Sequence, residues 1–88
     1  MQYNVDRGRL TLAQKRILAM LASGMTYRDI SKKTNWSVGS LYNYTSQSRI
    51  NVDAKNLSNL IALSIEHKEI VYNESKNEFV PADKLELE

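Results

Sequence analysis

The sequence predicts a mainly α fold of four helices, or five at most, followed by a C-terminal β-hairpin. Three observations carry that expectation. Apolar residues recur at spacings of three and four through the first two thirds of the chain, the period of an amphipathic helix. Each such stretch follows a residue suited to capping a helix start: Thr11, Thr26, Ser37 and Asp53. Near the end, short β-prone runs flank the turn-rich segment NESKN.

Taken in order, residues 1–9 (MQYNVDRGR) show no helical period and read as an N-terminal arm. Thr11 and Gln14 form a T-x-x-Q capping box, which satisfies amide hydrogens that a helix start leaves unpaired. The first helix is expected over about 12–23, with Ile17, Leu18, Met20 and Leu21 as its apolar stripe and Gly24 as the left-handed residue that closes it. Thr26 caps a shorter second helix, with Asp29 near its positive end and Ile30 as inward anchor. Asn35 tolerates the left-handed conformation that ends it, and Trp36 sits at the corner. Ser37 caps the third helix, in which Leu41 and Tyr44 turn inward. The polar stretch SQSRINVD then leads to Asp53 as cap of a fourth helix over about 54–67. Its Leu57, Leu60, Ile61 and Ile65 make one face that Leu63 widens, and this face packs on helix one or on a second copy. Ile70–Tyr72 and Phe79–Val80 form the hairpin, which Pro81 ends as an edge strand does. The expected organisation is one domain: arm 1–9, helical bundle 10–67, hairpin 68–82, and a tail 83–88 whose LELE reads as a frayed end or cloning remnant.

Composition narrows the function. Eighty-eight residues suffice for one modest core and not two. No apolar run approaches the roughly 18 residues of a membrane span, and the N-terminus has no apolar signal region, so a cytoplasmic protein is expected. With no cysteine and one histidine, His67, neither a disulfide nor a zinc site is expected, and no cofactor. No nucleophile paired with a base and no Gly-rich phosphate loop is visible, so an enzyme is not expected. The formal charge of +2 hides an asymmetry: residues 1–55 hold nine bases against three acids, and residues 56–88 three bases against seven acids. A basic first part suits a polyanion, and an acidic second part suits a repelled or partner-facing surface.

The segment LTLAQKRILAMLASGMTYRDISKKTNWSVGSLYNY, with its LT-x-x-Q start, G-x-T before the second helix, then I-S, W-S and L-Y-x-Y, resembles the helix-turn-helix of bacterial and phage DNA-binding proteins. In ungapped register it is similar to the DNA-binding domain of LuxR/GerE regulators, and NVDAKNLSNLIALSIEHKEIV is compatible with their fourth helix. The segment from Tyr27 onward, followed by a helix and a hairpin, is also similar to phage repressors and Cro-type proteins, and SVGSLYNY to the DNA-binding tail of Hin-type recombinases. The resemblance covers about half the chain. It departs from the pattern at Asn35, where a turn glycine is usual, and at Ser31, where alanine is usual. It implies a helix-turn-helix bundle whose third helix enters a major groove by its N-terminal part.

On that reading Val38, Gly39, Ser40, Tyr42 and Asn43 face base edges, and Arg28, Lys32, Lys33, Ser37 and Arg49 meet phosphates. Asn43 has the geometry for adenine, and Val38 or Tyr42 for a thymine methyl. The plainer alternatives are a solvated Asn43, a Tyr42 that covers the core edge, and an ordinary wet face at Lys32 and Lys33. Arg7 and Arg9 are candidates for a minor-groove arm. Leu57, Leu60, Ile61, Leu63, Ile70 and Tyr72 are candidates for a dimer surface. The hairpin is expected to pack or dimerise rather than act as a DNA wing at Lys76, because Glu69, Glu74 and Glu78 would lie against phosphate. The expected function is a sequence-specific double-stranded DNA-binding transcriptional regulator, repressor-like and of bacterial or phage type, acting on an operator as a homodimer. The alternative is a helix-turn-helix interaction module, an adaptor or anti-regulator, that binds another regulator.

Overall fold

Three of the four helix starts in the computed structural model, which describes residues 10–82, fall at the capping residues read from the sequence. The elements are α1 Leu12–Ala22, α2 Tyr27–Thr34, α3 Val38–Val52, α4 Leu57–Glu66, β1 Ile70–Asn73 and β2 Glu78–Pro81. The expected arm, with Arg7 and Arg9, and the expected tail lie outside the described residues. Thr11 Oγ1 accepts the Gln14 amide at 3.2 Å while Gln14 Oε1 accepts the Thr11 amide at 2.9 Å. Thr26 and Asp29 make the same reciprocal pair, both bonds at 3.0 Å. Ser37 Oγ accepts the Ser40 amide at 3.0 Å.

The fourth start differs from expectation. Asp53 caps no helix start; it is the left-handed residue (φ 59°) that closes α3, which runs straight through the stretch read as a polar connector. Asn56 caps α4 instead, accepting the Asn59 amide at 2.8 Å. The physical reason lies in how the helices end. In α1, α3 and α4 a left-handed residue (Gly24, Asp53, Lys68) is followed by one whose amide reaches back: Met25 to the Met20 carbonyl, Ala54 to Arg49 and Glu69 to Ser64. This is the Schellman arrangement, which satisfies end carbonyls and turns the chain inward. Asp adopts the left-handed region more readily than most residues, so Asp53 serves here as glycine does at Gly24.

Two clusters make the core. Ile17, Ile30 and Leu41, one from each of the first three helices, are fully buried, with Met20, Met25, Tyr27, Trp36 and Tyr44 packed around them. Leu10, Leu18, Val52, Ala54 and Leu60 form the second, joined by Leu57, Ile61 and Leu63. Ile65, expected on the inward face of α4, is exposed, and Leu63, expected beside that face, packs inward; the buried stripe is centred on Leu60 and Ser64, and Ile65 lies about 100° round the helix from Ser64.

The hairpin pairs Ile70 with Pro81, Val71 with Val80, Tyr72 with Phe79 and Asn73 with Glu78. It packs on α1 and α4. The free edge of β2 is closed to further strands, because the Phe79 amide donates to Ser23 Oγ at 2.8 Å and Pro81 has no amide hydrogen. Beneath it lies an ion pair: Lys15 Nζ is 3.1 Å from Glu69 Oε1, with side chains 3% and 4% exposed. It ties α1 to the junction of α4 and β1.

Breaking a buried ion pair by removing one partner typically costs about 3–5 kcal/mol. Glu69→Ala is therefore expected to lower the urea midpoint sharply, and Lys15→Met with Glu69→Leu to recover most of the loss; equal losses in the single and double variants would refute the coupling. Asp29 gives a pH-dependent counterpart. The backbone N–H of Thr26, then its hydroxyl, and more weakly Lys32 hold the Asp29 carboxyl below its ordinary range. Its folded pKa is below the unfolded one, so its stabilisation is complete above the unfolded value and disappears as pH falls through the folded value. The melting-temperature gap between the wild type and Asp29→Ala should thus close between about pH 5 and about pH 2. A constant gap over that range would refute it.

Candidate functional site

The orientation of α3 is set by a short inward row: Leu41, Thr45, Ser48 and Val52. The two buried hydroxyls satisfy themselves within the helix, Thr45 donating to the Tyr42 carbonyl at 3.0 Å and Ser48 to the Tyr44 carbonyl at 2.8 Å. At about 100° per residue, that row leaves Gly39, Asn43, Ser46 and Ile50 along the middle of the opposite side. All four are exposed. Val38 and Tyr42 stand on one flank of this row and Gln47 on the other.

Each expected base-facing residue can now be placed. Gly39 and Asn43 are uncovered by the protein's own chain, Val38 is exposed, and Ser40 is half-buried. Tyr42 is 54% exposed, yet its ring stacks on Tyr27 with centroids 4.3 Å apart. The Tyr27 hydroxyl in turn donates to Thr45 Oγ1 at 3.3 Å. Tyr42 is thus held along the seam between α2 and α3 with its outer face free. Asn43 and Gln47, one turn apart, border a polar groove of about 420 Å³ with Thr11, Gln14, Ser40 and Tyr44. Ser46, Gln47 and Ile50 belong to the outward face and were not among the expected site residues, because the segment containing them was read as non-helical. Asn56, standing directly before Leu57, is as good a helix start as Asp53, and no local signal in the sequence separates the two.

The expected phosphate contacts divide into three settings. Arg28 and Lys32, one turn apart on α2, are exposed side by side. Lys33 lies about 100° further round the helix and lines a separate cleft with Arg16 and Trp36. Arg49, near the far end of α3, donates from Nη2 to the Lys55 carbonyl at 3.3 Å. It is the one charged residue in α3, whose fifteen residues include no acid. Ser37 Oγ is engaged twice, accepting the Ser40 amide and donating to Ser40 Oγ at 3.0 Å. The Val38 and Gly39 amides are those a helix start leaves without an intrahelical acceptor.

The expected dimer surface needs correction. Leu60 and Ile70 are fully enclosed by the protein's own core, so neither is available to a second copy. Leu57, Ile61 and Leu63 are half-buried against the same core. Tyr72 alone of the six is exposed, at 47%, edge-to-face with Phe79 and hydrogen-bonded to Asn77. Among the described residues no helix is long and apolar enough to cross a membrane, and no group of three or more His, Asp or Glu side chains is placed to hold a metal ion. No protein-family model, curated protein or solved structure matches the chain.

The glycine on the outward face tests whether the fold itself requires it. A Cβ at Gly39 would meet only Ser37 Oγ, at 3.9 Å, an ordinary contact. Gly39→Ala is therefore expected to raise thermal stability, by about 0.5–1 kcal/mol, the helical penalty of glycine relative to alanine. A lower melting temperature would show that the chain itself needs glycine there.

Proposed function

We propose that the protein is a sequence-specific double-stranded DNA-binding regulator, repressor-like and cytoplasmic, in which α3 is the reading helix. The observation that carries this reading is the outward row Gly39, Asn43, Ser46: short or uncharged side chains on an acid-free helix that also carries Arg49, with Arg28 and Lys32 exposed on the preceding helix. A major groove about 12 Å wide admits a helix, and α3, fifteen residues long, presents more than 20 Å of it. Gly39 lets backbone approach a surface closely. Asn43 and Gln47 offer carboxamides, which bond adenine at two points. Arg28, Lys32 and Arg49 meet phosphates, fixing register without reading sequence. The free amides at the start of α3 add a further anion contact. A single module buries only about 600–1,000 Å² on DNA, so a twofold dimer on a pseudo-palindrome would raise affinity, and exposed Tyr72 is the residue left to support it.

One observation favours a second reading. Ile50, 71% exposed at the end of the same row, is the apolar side chain a protein partner would cover. An interaction module that docks α3 on another regulator would use Ile50 and Tyr42 and have little need of the cations.

Selection of bound duplexes from a random library, followed by titration at two salt concentrations, separates the two. Under the DNA reading Asn43→Ala relaxes preference at one position, by about 1–3 kcal/mol. Lys32→Ala weakens all duplexes alike and lowers the salt slope by about one. Sedimentation with a selected duplex gives two chains per site if the dimer forms. No enrichment of any duplex sinks the DNA reading, and equal losses from both variants on all duplexes refute the division between reading and anchoring.

A further inference from the structure

A second concave surface lies between α1, the α2–α3 turn and β2, with a volume of about 450 Å³. That is within the range of small-ligand pockets, about 300–1,000 Å³. Met20, Trp36 and Phe79 give it apolar and aromatic walls, and Arg16, Lys33 and Glu78 are its charged side chains. Among the described residues the ion pair is Lys15 with Glu69; Arg16, Lys33 and Glu78 take part in none. Two cations and one acid, none of them in an ion pair among the described residues, thus face a cleft whose walls are apolar.

The chemistry of the cleft selects its occupant. An extended peptide cannot add to β2, since the Phe79 amide is engaged by Ser23 and Pro81 has none to offer. A nucleic-acid phosphate would satisfy Arg16 and Lys33 but leave Met20, Trp36 and Phe79 uncovered. A neutral apolar molecule would cover the walls and leave the cations unused. We infer that the cleft binds a small organic carboxylate with an aromatic or branched apolar tail, its carboxylate between Arg16 and Lys33 and its tail on Met20, Trp36 and Phe79. Charge-assisted bonds to guanidinium and ammonium are the stronger kind of hydrogen bond, and the walls exclude water from the tail. Glu78 opposes the bound anion. The inference holds whether or not α3 binds a duplex.

Trp36 is the chain's single tryptophan, so its fluorescence reports on the cleft. The full chain is titrated with 4-phenylbutyrate and with 4-phenylbutanol, which has the same tail and no charge. A saturable change is expected with the carboxylate, and binding about tenfold weaker for the alcohol, as for one lost ionic contact. Arg16→Gln with Lys33→Gln is expected to weaken the carboxylate at least about tenfold and leave the alcohol unchanged. Glu78→Gln is expected to tighten the carboxylate, which a nonspecific loss of structure could not do. No saturable change, equal affinity for the two probes, or an unaffected double variant overturns the inference. So does a double variant that loses duplex affinity where the wild type binds no carboxylate, because the cations then belong to phosphate.

Discussion

What faces outward on α3 is decided by what is locked inward, and the lock is the buried meeting of Ile17, Ile30 and Leu41. Each comes from a different helix and none is exposed, so α2 and α3 cannot rotate about their axes without opening a cavity in this cluster. Losing such a side chain to alanine typically costs about 2–5 kcal/mol. That cost is large against the few kcal/mol that stabilise a domain this small. Below Leu41 the seam continues on Thr45 and Ser48, whose hydroxyls are returned to their own helix, leaving small surfaces against which neighbouring helices lie close. Ser64 does the same in α4, donating to the Leu60 carbonyl at 2.8 Å. The outward row from Gly39 to Ile50 follows from that inward row by helical geometry alone.

Charge is distributed by the same packing. The sequence assigns nine bases to its first 55 residues, but those among the described residues do not form one surface. Lys15 is buried against Glu69, so one base of the first part and one acid of the second cancel inside the core. Arg28 and Lys32 share one side of α2, while Lys33 turns to the cleft with Arg16. A basic half of a sequence is therefore not a basic face. The helix that divides these cations is eight residues long.

Much of the fold was legible because it is written in local rules. Thr11, Thr26 and Ser37 cap as their spacing implies, Gly24 and Asn35 take the left-handed conformation, and the hairpin closes around NESKN. The second half of α3 was not legible, because periodicity is counted on apolar residues and its buried positions include Thr45 and Ser48. Asp53 compounded this: aspartate suits a helix start and a left-handed helix end alike, and only the backbone bonds from Asp53 to Ile50 and from Ala54 to Arg49 decide between them. In α4 the inward side holds Leu63 and not Ile65, because its centre is Ser64, a polar residue that an apolar count passes over. The Lys15–Glu69 pair joins residues far apart in sequence, and no local pattern announces it. For the site, the face of α3 could be read as far as Asn43, and its continuation through Ser46, Gln47 and Ile50 was lost with the helix.

The turn that links α2 to α3 lines the cleft and contacts a residue that borders the polar groove. Asn35 reverses the chain at φ 67°, and Trp36, next to it, lines the cleft while its ring lies 5.6 Å from that of Tyr44 in α3. Tyr44 borders the polar groove on the other side of the same helix. Two aromatic side chains packed at a tilt thus lie between the surfaces, in the cluster that holds Leu41. A molecule in the cleft influences α3 only to the extent that it binds more tightly to one arrangement of these rings than to another. The fully buried Ile17, Ile30 and Leu41 hold α3 against rotation, so the freedom left to such a molecule lies in the Trp36 ring and the first turn of α3. That first turn carries Gly39.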